Sequence, residues 1–182
     1  MIYLMAGHTP KGLNQDPGAV GVGGKREADL TMELRDLTAD ILRRNNLQVW
    51  EDDDTHRLAD VLKFVKSKEQ DIVLDIHFNA GPAAATGVEV IVPDRSTNEE
   101  REMAREICVA FSDKMRIRNR GVKSEKDTAR HTLAVMRPAG INILIEVCFI
   151  SNPNDMLYYE AQKIELAYEL AVIIEKYERI FA

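Results

Sequence analysis

The chain has 182 residues, 45% of them hydrophobic and 30% charged, and a formal net charge of -6 at pH 7. That length supports one sizeable core and one domain, and the composition is that of an ordinary soluble globular protein. The acidic balance excludes a general nucleic-acid binder, no apolar run approaches the ~20 residues of a membrane span, and the two cysteines, Cys108 and Cys148, show no disulfide pattern.

Met1 leads straight into an apolar run, residues 2–7, that reads as a buried strand ending at His8. No basic segment or small-residue cleavage site precedes it, which predicts synthesis in the cytoplasm without a signal peptide. Residues 9–26 form a long Gly-rich loop with Pro10 and Pro17, and loops of this length inside a compact domain are often functional. A helix over 27–44 follows, with Leu30, Leu34, Leu37 and Ile41 at helical spacing, and Leu47 to Trp50 reads as a short strand. Residues 57–68 predict a second helix, carrying Leu58, Val61, Leu62 and Val65 on one face. Residues 71–76 are a second buried strand, ending in His77, and residues 87–92 are a third, stopped by Pro93. The segment 97–115 is helical, with Met103, Ile107, Phe111 and Met115 turned inward. The polar and basic stretch 116–131 reads as loop, Thr132 to Val135 as a strand, and 142–148 as the last strand, interrupted by Glu146. From Asn154 an amphipathic helix runs to the C-terminus through Leu157, Ala161, Ile164, Tyr168, Ala171 and Ile174, placed to close an outer face of the sheet.

Strands alternating with helices predict a single-domain α/β fold, a mostly parallel or mixed central sheet with helices on both faces. Ligands of open α/β sheets bind beyond the carboxyl ends of the strands. His8, His77 and Glu146 all stand at or near such ends, and Glu27 opens the first helix. Two histidines and a carboxylate are a common shell for catalytic zinc, and a further carboxylate is what an activated water needs as its proton acceptor.

Each residue also has a plainer role. A lone His8 would cap a strand end, and Glu27 would serve the helix dipole from the first turn. His77 repeats the position of His8 on another strand, with Asp75 two residues earlier on the same face as a partner of unassigned role. Glu146 sits in a run otherwise fit for a core strand, so its carboxylate is either ion-paired with Arg or Lys or kept for chemistry as base and then acid.

Seven segments extend this reading: Ala6-Gly7-His8, Asp16-Pro17-Gly18-Ala19, Arg26-Glu27, Asp75-Ile76-His77-Phe78-Asn79-Ala80, Gly87-Val88-Glu89-Val90, Arg120-Gly121-Val122-Lys123 and Ile145 through Asn152. In this order and spacing the chain resembles the zinc-dependent N-acetylmuramoyl-L-alanine amidases of the amidase-3 type, over essentially its whole length. The resemblance implies one catalytic domain, 1–182, without a separate cell-wall-binding domain. It implies zinc held by His8, Glu27 and His77, with Glu146 as the catalytic glutamate. The implied substrate and partner is peptidoglycan, cut between N-acetylmuramic acid and the L-alanine of the stem peptide, with no nucleic acid and no stable membrane insertion. A phage-type endolysin, released to the wall by a holin-type protein, fits such a domain; a bacterial enzyme exported by another route stays open.

The chain departs from the family pattern at several points. Met5-Ala6 stands for Asp-Pro before Gly7, Thr9-Pro10-Lys11 for a Gly pair, and Glu51-Asp52 for a Thr-Arg pair, while a helix Asn is absent near Thr31. Asn79 either binds the stem peptide or caps a turn. The basic residues from Arg116 to Arg130 either meet stem-peptide carboxylates or face solvent, and His131 is either a third imidazole or a surface histidine. Other functions on the same residues are a zinc peptidase or deacylase, a wall-binding module without catalysis, and a cysteine hydrolase using Cys148 with His77.

Overall fold

A computed structural model describes residues 1–9, 11 and 15–181, with the side chain of residue 181 left aside. Pro10, part of the Gly-rich loop and of the departure after His8, lies outside the described residues. Six strands form one sheet in the order β2-β1-β3-β6-β4-β5, from β1 (Ile2–Ala6), β2 (Val49–Glu51), β3 (Ile72–Asn79), β4 (Val88–Val92), β5 (Asn119–Ser124) and β6 (Ile141–Phe149). The first three strands and β6 run parallel, while β4 is antiparallel to β6 and parallel to β5, so the sheet is mixed.

Strand alternation divides the core in two. Ile2, Leu4, Ile72, Leu74, Ile76, Ile143 and Ile145 face a large core shared with α1 (Glu27–Arg44), α3 (Asn98–Met115) and α4 (Pro153–Phe181). Tyr3, Met5, Val73, Ile91 and Leu144 face a smaller one, closed by Val61 and Val65 on and just after α2 (Leu58–Phe64) and by Val135 and Met136. Helices therefore cover both faces, but three long ones lie on one side and a seven-residue one on the other. The thinly covered face leaves room for a groove.

Local chemistry sets the helix ends. Glu27 and Asp29 open α1, and Arg43 and Arg44 close it, matching the helix dipole at both ends. Thr97 and Glu100 form a capping box at the start of α3. Pro153 starts α4, a position where its missing N–H costs no helical bond, and the Asn152 side chain accepts from the N–H groups of Asn154 and Asp155.

Several boundaries differ from those the sequence predicts. The stretch 116–131 contains β5, a polar edge strand; with one neighbour and half-exposed faces it carries no apolar alternation to betray it. Thr132 to Val135 is not a strand. Ala134–Met136 forms a 3-10 turn that buries the adjacent residues Val135 and Met136, which a strand would send to opposite faces. The second helix stops at Phe64, although Val65 stays in the core. The last helix is phased differently from the expected stripe. Met156, Tyr159, Leu166, Leu170, Ile173 and Tyr177 face inward with Ala171 and Ile174, whereas Leu157, Ile164 and Tyr168 are exposed. Both stripes are apolar, so periodicity alone could not choose between them. No helix among the described residues is long and apolar enough to cross a membrane.

Candidate active site

His77 and Glu146 are register partners on adjacent strands, and both side chains fall on the α2 side of the sheet, as do Asp75 and Leu144. His8 follows β1 in the left-handed region, φ 71°. Such a conformation costs on the order of 1–3 kcal/mol and persists where the surroundings fix it. Thr9 and Asp16 supply that frame through paired backbone hydrogen bonds of 3.0 and 2.9 Å, which bring Asp16 beside the ring of His8. Glu27 arrives from the start of α1, over the carboxyl edge of the sheet, with its N–H donating to Ala19 O at 2.9 Å.

The three side chains converge on one point. Glu27 bridges the imidazoles, with Oε2 3.1 Å from His8 Nε2 and Oε1 3.0 Å from His77 Nδ1. One donor atom from each of the three residues lies within 4.8 Å of the others, a spacing a single cation can span. The outward nitrogens are also held: His8 Nδ1 lies 3.0 Å from Asp16, and His77 Nε2 lies 3.2 Å from Asp75. A carboxylate behind each imidazole fixes its tautomer and raises its basicity, as in metal centres. The donor set thus fits a divalent metal of the zinc type by chemistry and by spacing.

The plainer roles do not account for all the contacts of these residues. His8 contacts carboxylates rather than a strand end, and Glu27 is buried, accepting from the N–H groups of Ala19 and Phe78 as well as facing both rings. Burial alone would raise the pKa of Glu27, but hydrogen bonds from His77 and His8 outweigh it and hold the carboxylate well below its usual range. Burial likewise opposes charge on both imidazoles. Glu27 and Asp16 overcome it and raise His8, and Asp75 with Glu27 raise His77. Protons and a cation therefore compete for these donors. Gly18 (φ 64°) passes so close that a Cβ there would lie 2.6 Å from His8 Cδ2 and 2.7 Å from Glu27 Oε2.

Glu146 has no Arg or Lys partner among the described residues, and its Oε2 is buried without a hydrogen bond. An orphaned buried acceptor costs about 1–3 kcal/mol. Burial pushes its pKa up to about 7, partly offset by His77 and reinforced by Glu27 and Glu89. Glu89 is opposite Glu146 on β4 and is held there by two donors: Arg120 Nε at 2.6 Å and Asn79 Nδ2 at 2.9 Å. The guanidinium of Arg120 also stacks 5.0 Å over Phe149. Asn79 therefore lies inside β3 with its amide committed to Glu89, while still lining the groove.

Sequence reasoning missed four contributors. Asp16 and Glu89 are ordinary acids in sequence, and only the pairing of loop and strand brings them to the site. Thr31, where the family Asn is absent, donates to Gly7 O at 2.9 Å and ties α1 to the residue before His8. Asp52, in place of the family's Thr-Arg pair, accepts from Ala6 N at 3.1 Å and from buried Arg35 at 2.8 Å. Arg35 also grips Asp54, so a buried ionic cluster braces the end of β1. Cys148 is 0% exposed in the large core, and its thiol is pushed well up by burial. One extra residue on β6 between the partners of His77 and Asn79 turns Cys148 away from the face of Glu146. That removes a cysteine nucleophile. His131 lies outside the metal cluster, exposed, with Nδ1 2.8 Å from Lys126 O.

The model of the family described as N-acetylmuramoyl-L-alanine amidase matches residues 2–176. The chain belongs to that family. It is 29% identical over 158 residues to the uncharacterized protein YqiI of Bacillus subtilis, covering 85% of this chain and 72% of that one. The crystal structure of N-acetylmuramoyl-L-alanine amidase from Clostridium difficile 630 is similar at 25% identity and a TM-score of 0.78, covering 97% of this chain and 95% of that one. The N-acetylmuramoyl-L-alanine amidase AmiC2 of Nostoc punctiforme shares the fold at 22% identity and a TM-score of 0.77, covering 98% and 97%. This amidase hydrolyses an amide of peptidoglycan, and its place of action is the cell wall.

Proposed function

We propose that this amidase cleaves the bond between the lactyl group of N-acetylmuramic acid and L-alanine with zinc held by His8 Nε2, Glu27 and His77 Nδ1, and with Glu146 as general base and acid. The observation that carries the reading is the convergence of those three donors within 4.8 Å beside a carboxylate left without a partner. Zinc, when bound, supplies Lewis acidity, acidifying a water and polarising the carbonyl.

The side chains account for the rest. Asp16 and Asp75 keep the inward nitrogens of His8 and His77 aimed at one point. Glu146, with a pKa raised to about 7, takes the proton of the attacking water near neutral pH. It then passes that proton to the alanine nitrogen as the C–N bond breaks, leaving a lactyl carboxylate and a free α-amino group. Asn79 and Arg120 hold Glu89 in place opposite Glu146, where its charge helps keep the pKa of Glu146 raised. Asn79 lines the same groove, and on this reading its carbonyl oxygen accepts from the stem peptide.

On this reading residues 1–182 suffice for turnover without a wall-binding domain, and a holin-type protein admits the enzyme to the wall if it is phage-derived, another export route if it is bacterial. Mass spectrometry of peptidoglycan digested by the zinc-loaded chain tests the reaction: stem peptides with a free L-alanine N-terminus and intact glycan strands are expected. Cleavage inside the peptide would make it a peptidase. Glu146→Gln should keep stoichiometric zinc and lose about 10²–10⁴-fold in kcat; undiminished turnover would remove Glu146 from the mechanism.

A further inference from the structure

Two cavities, of about 410 and 650 Å³, flank the candidate centre, and His8, Leu58, Asp75, His77 and Arg130 border both. Arg130 thus borders both parts of the groove, as the two imidazoles do. The walls around it carry five acids, Asp16, Glu27, Asp52, Asp75 and Glu146, against the cations Arg57 and Arg137, and Arg57 is already engaged. A substrate bearing carboxylates would be repelled from such a groove unless a cation received it. Arg137 is committed to Glu125 at 2.5 Å, and Lys126, next to that wall, to Asp94 at 2.6 Å. Arg130 is exposed and, among the described residues, has no acidic partner.

Its position is built rather than loose. Glu125 is 2% exposed, and its carboxylate accepts from Leu133 N at 2.8 Å, from Arg137 and from Asp94 N. Thr128 Oγ1 donates back to Glu125 O at 2.7 Å, and His131 N to Thr128 O at 3.1 Å. Hydrogen bonds therefore close the segment 125–133 on a buried anchor, with Arg130 at its tip over the groove.

We propose that Arg130 is a specificity-determining residue, which reads a free carboxylate on the stem peptide and favours peptidoglycan in which that group is ionised over peptidoglycan in which it is amidated. The assignment rests on the amidase reading above. A guanidinium fork suits a carboxylate through two parallel N–H donors and gains little from a neutral carboxamide.

The test uses zinc-loaded enzyme and two soluble muramoyl-L-alanyl peptides that differ only in a carboxylate or a carboxamide on the residue after L-alanine. Wild type should prefer the acid, and raised salt should erode the preference. Arg130→Gln should raise KM for the acid about tenfold, the loss of one charge-assisted contact, with kcat unchanged and the amide within about twofold. Arg130→Lys should fall between, keeping the charge and losing the fork. Equal losses on both substrates, or no loss on either, would overturn the assignment. Wild type that cleaves neither substrate nor whole peptidoglycan would overturn the amidase reading and, with it, this one.

Discussion

Gly7→Ala isolates the geometry of the centre from everything else. Gly7 has ordinary backbone angles, its N–H donates to Ile76 O at 2.8 Å, and its carbonyl accepts from Thr31; an alanine keeps all of this. The added Cβ, however, would lie 2.4 Å from His77 Cε1 and 2.6 Å from both ring nitrogens, against the 3.4 Å at which ordinary contact begins. The ring must retreat by about 1 Å. Any such movement breaks existing contacts, since Glu27 and Asp75 hold its two nitrogens and His8 lies edge-on at 5.2 Å. Overpacking of this kind costs about 1–3 kcal/mol, which a domain of this size survives. The metal bond does not tolerate the shift, because zinc–imidazole distances are held near 2.0–2.1 Å. The expected outcome is a folded protein with zinc affinity and kcat/KM each lowered about 10²-fold, by the usual cost of a 1 Å displacement. Zinc affinity is read by competition with a chromophoric chelator and folding by thermal melting. Gly23→Ala is the control: its Cβ meets nothing within 4 Å, so it carries only the positive-φ penalty of roughly 1–2 kcal/mol and leaves zinc binding intact. Gly7→Ala protein that binds zinc as wild type does would refute His77 as a ligand.

The carboxylates behind the imidazoles should differ in weight. Asp75→Asn removes the buried charge behind His77 and should weaken zinc about 10–100-fold in the same competition assay, whereas Asp16, with a side chain 60% exposed, should matter only a few-fold for His8; equal losses would contradict this ordering. The thermal shift on adding zinc should grow between pH 6 and pH 8 by roughly 5 °C. His8 and His77 have folded-state pKa values raised above 6.5, so their imidazolium contacts stabilise the metal-free protein fully below pH 6.5 and fade as pH rises through the raised values. Zinc binding, which displaces those protons, strengthens over the same window. The depressed pKa of Glu27 adds stability that is lost only as pH falls below about 4.5, outside this window. A pH-independent shift in calorimetry would mean that other groups hold the metal.

The sequence by itself determined the α/β architecture and the four groups worth watching. Apolar runs are legible because burial on both faces of a sheet demands them, and an ionisable residue at the end of such a run is conspicuous because burial penalises charge. His8, His77 and Glu146 stood out for that reason, and Glu27 from its place at the start of a helix after a long Gly-rich loop. What the sequence could not carry was pairing between distant segments. Asp16 meets His8 through a loop ribbon, Asp52 meets Arg35 and Ala6 across β1, and Glu89 meets Asn79 and Arg120 across β4. None of these has a local signature, since a polar residue reads alike whether its partner is water or a side chain from another strand. Facing was equally out of reach where periodicity is degenerate. On α4 two apolar stripes compete, and only contact with α1 and α3 selects the buried one. On β6 one inserted residue sends Cys148 to the core while Glu146 stays on the groove. Tertiary structure decided those points because register and bulges are set by the neighbouring strand, not by the residue's own sequence.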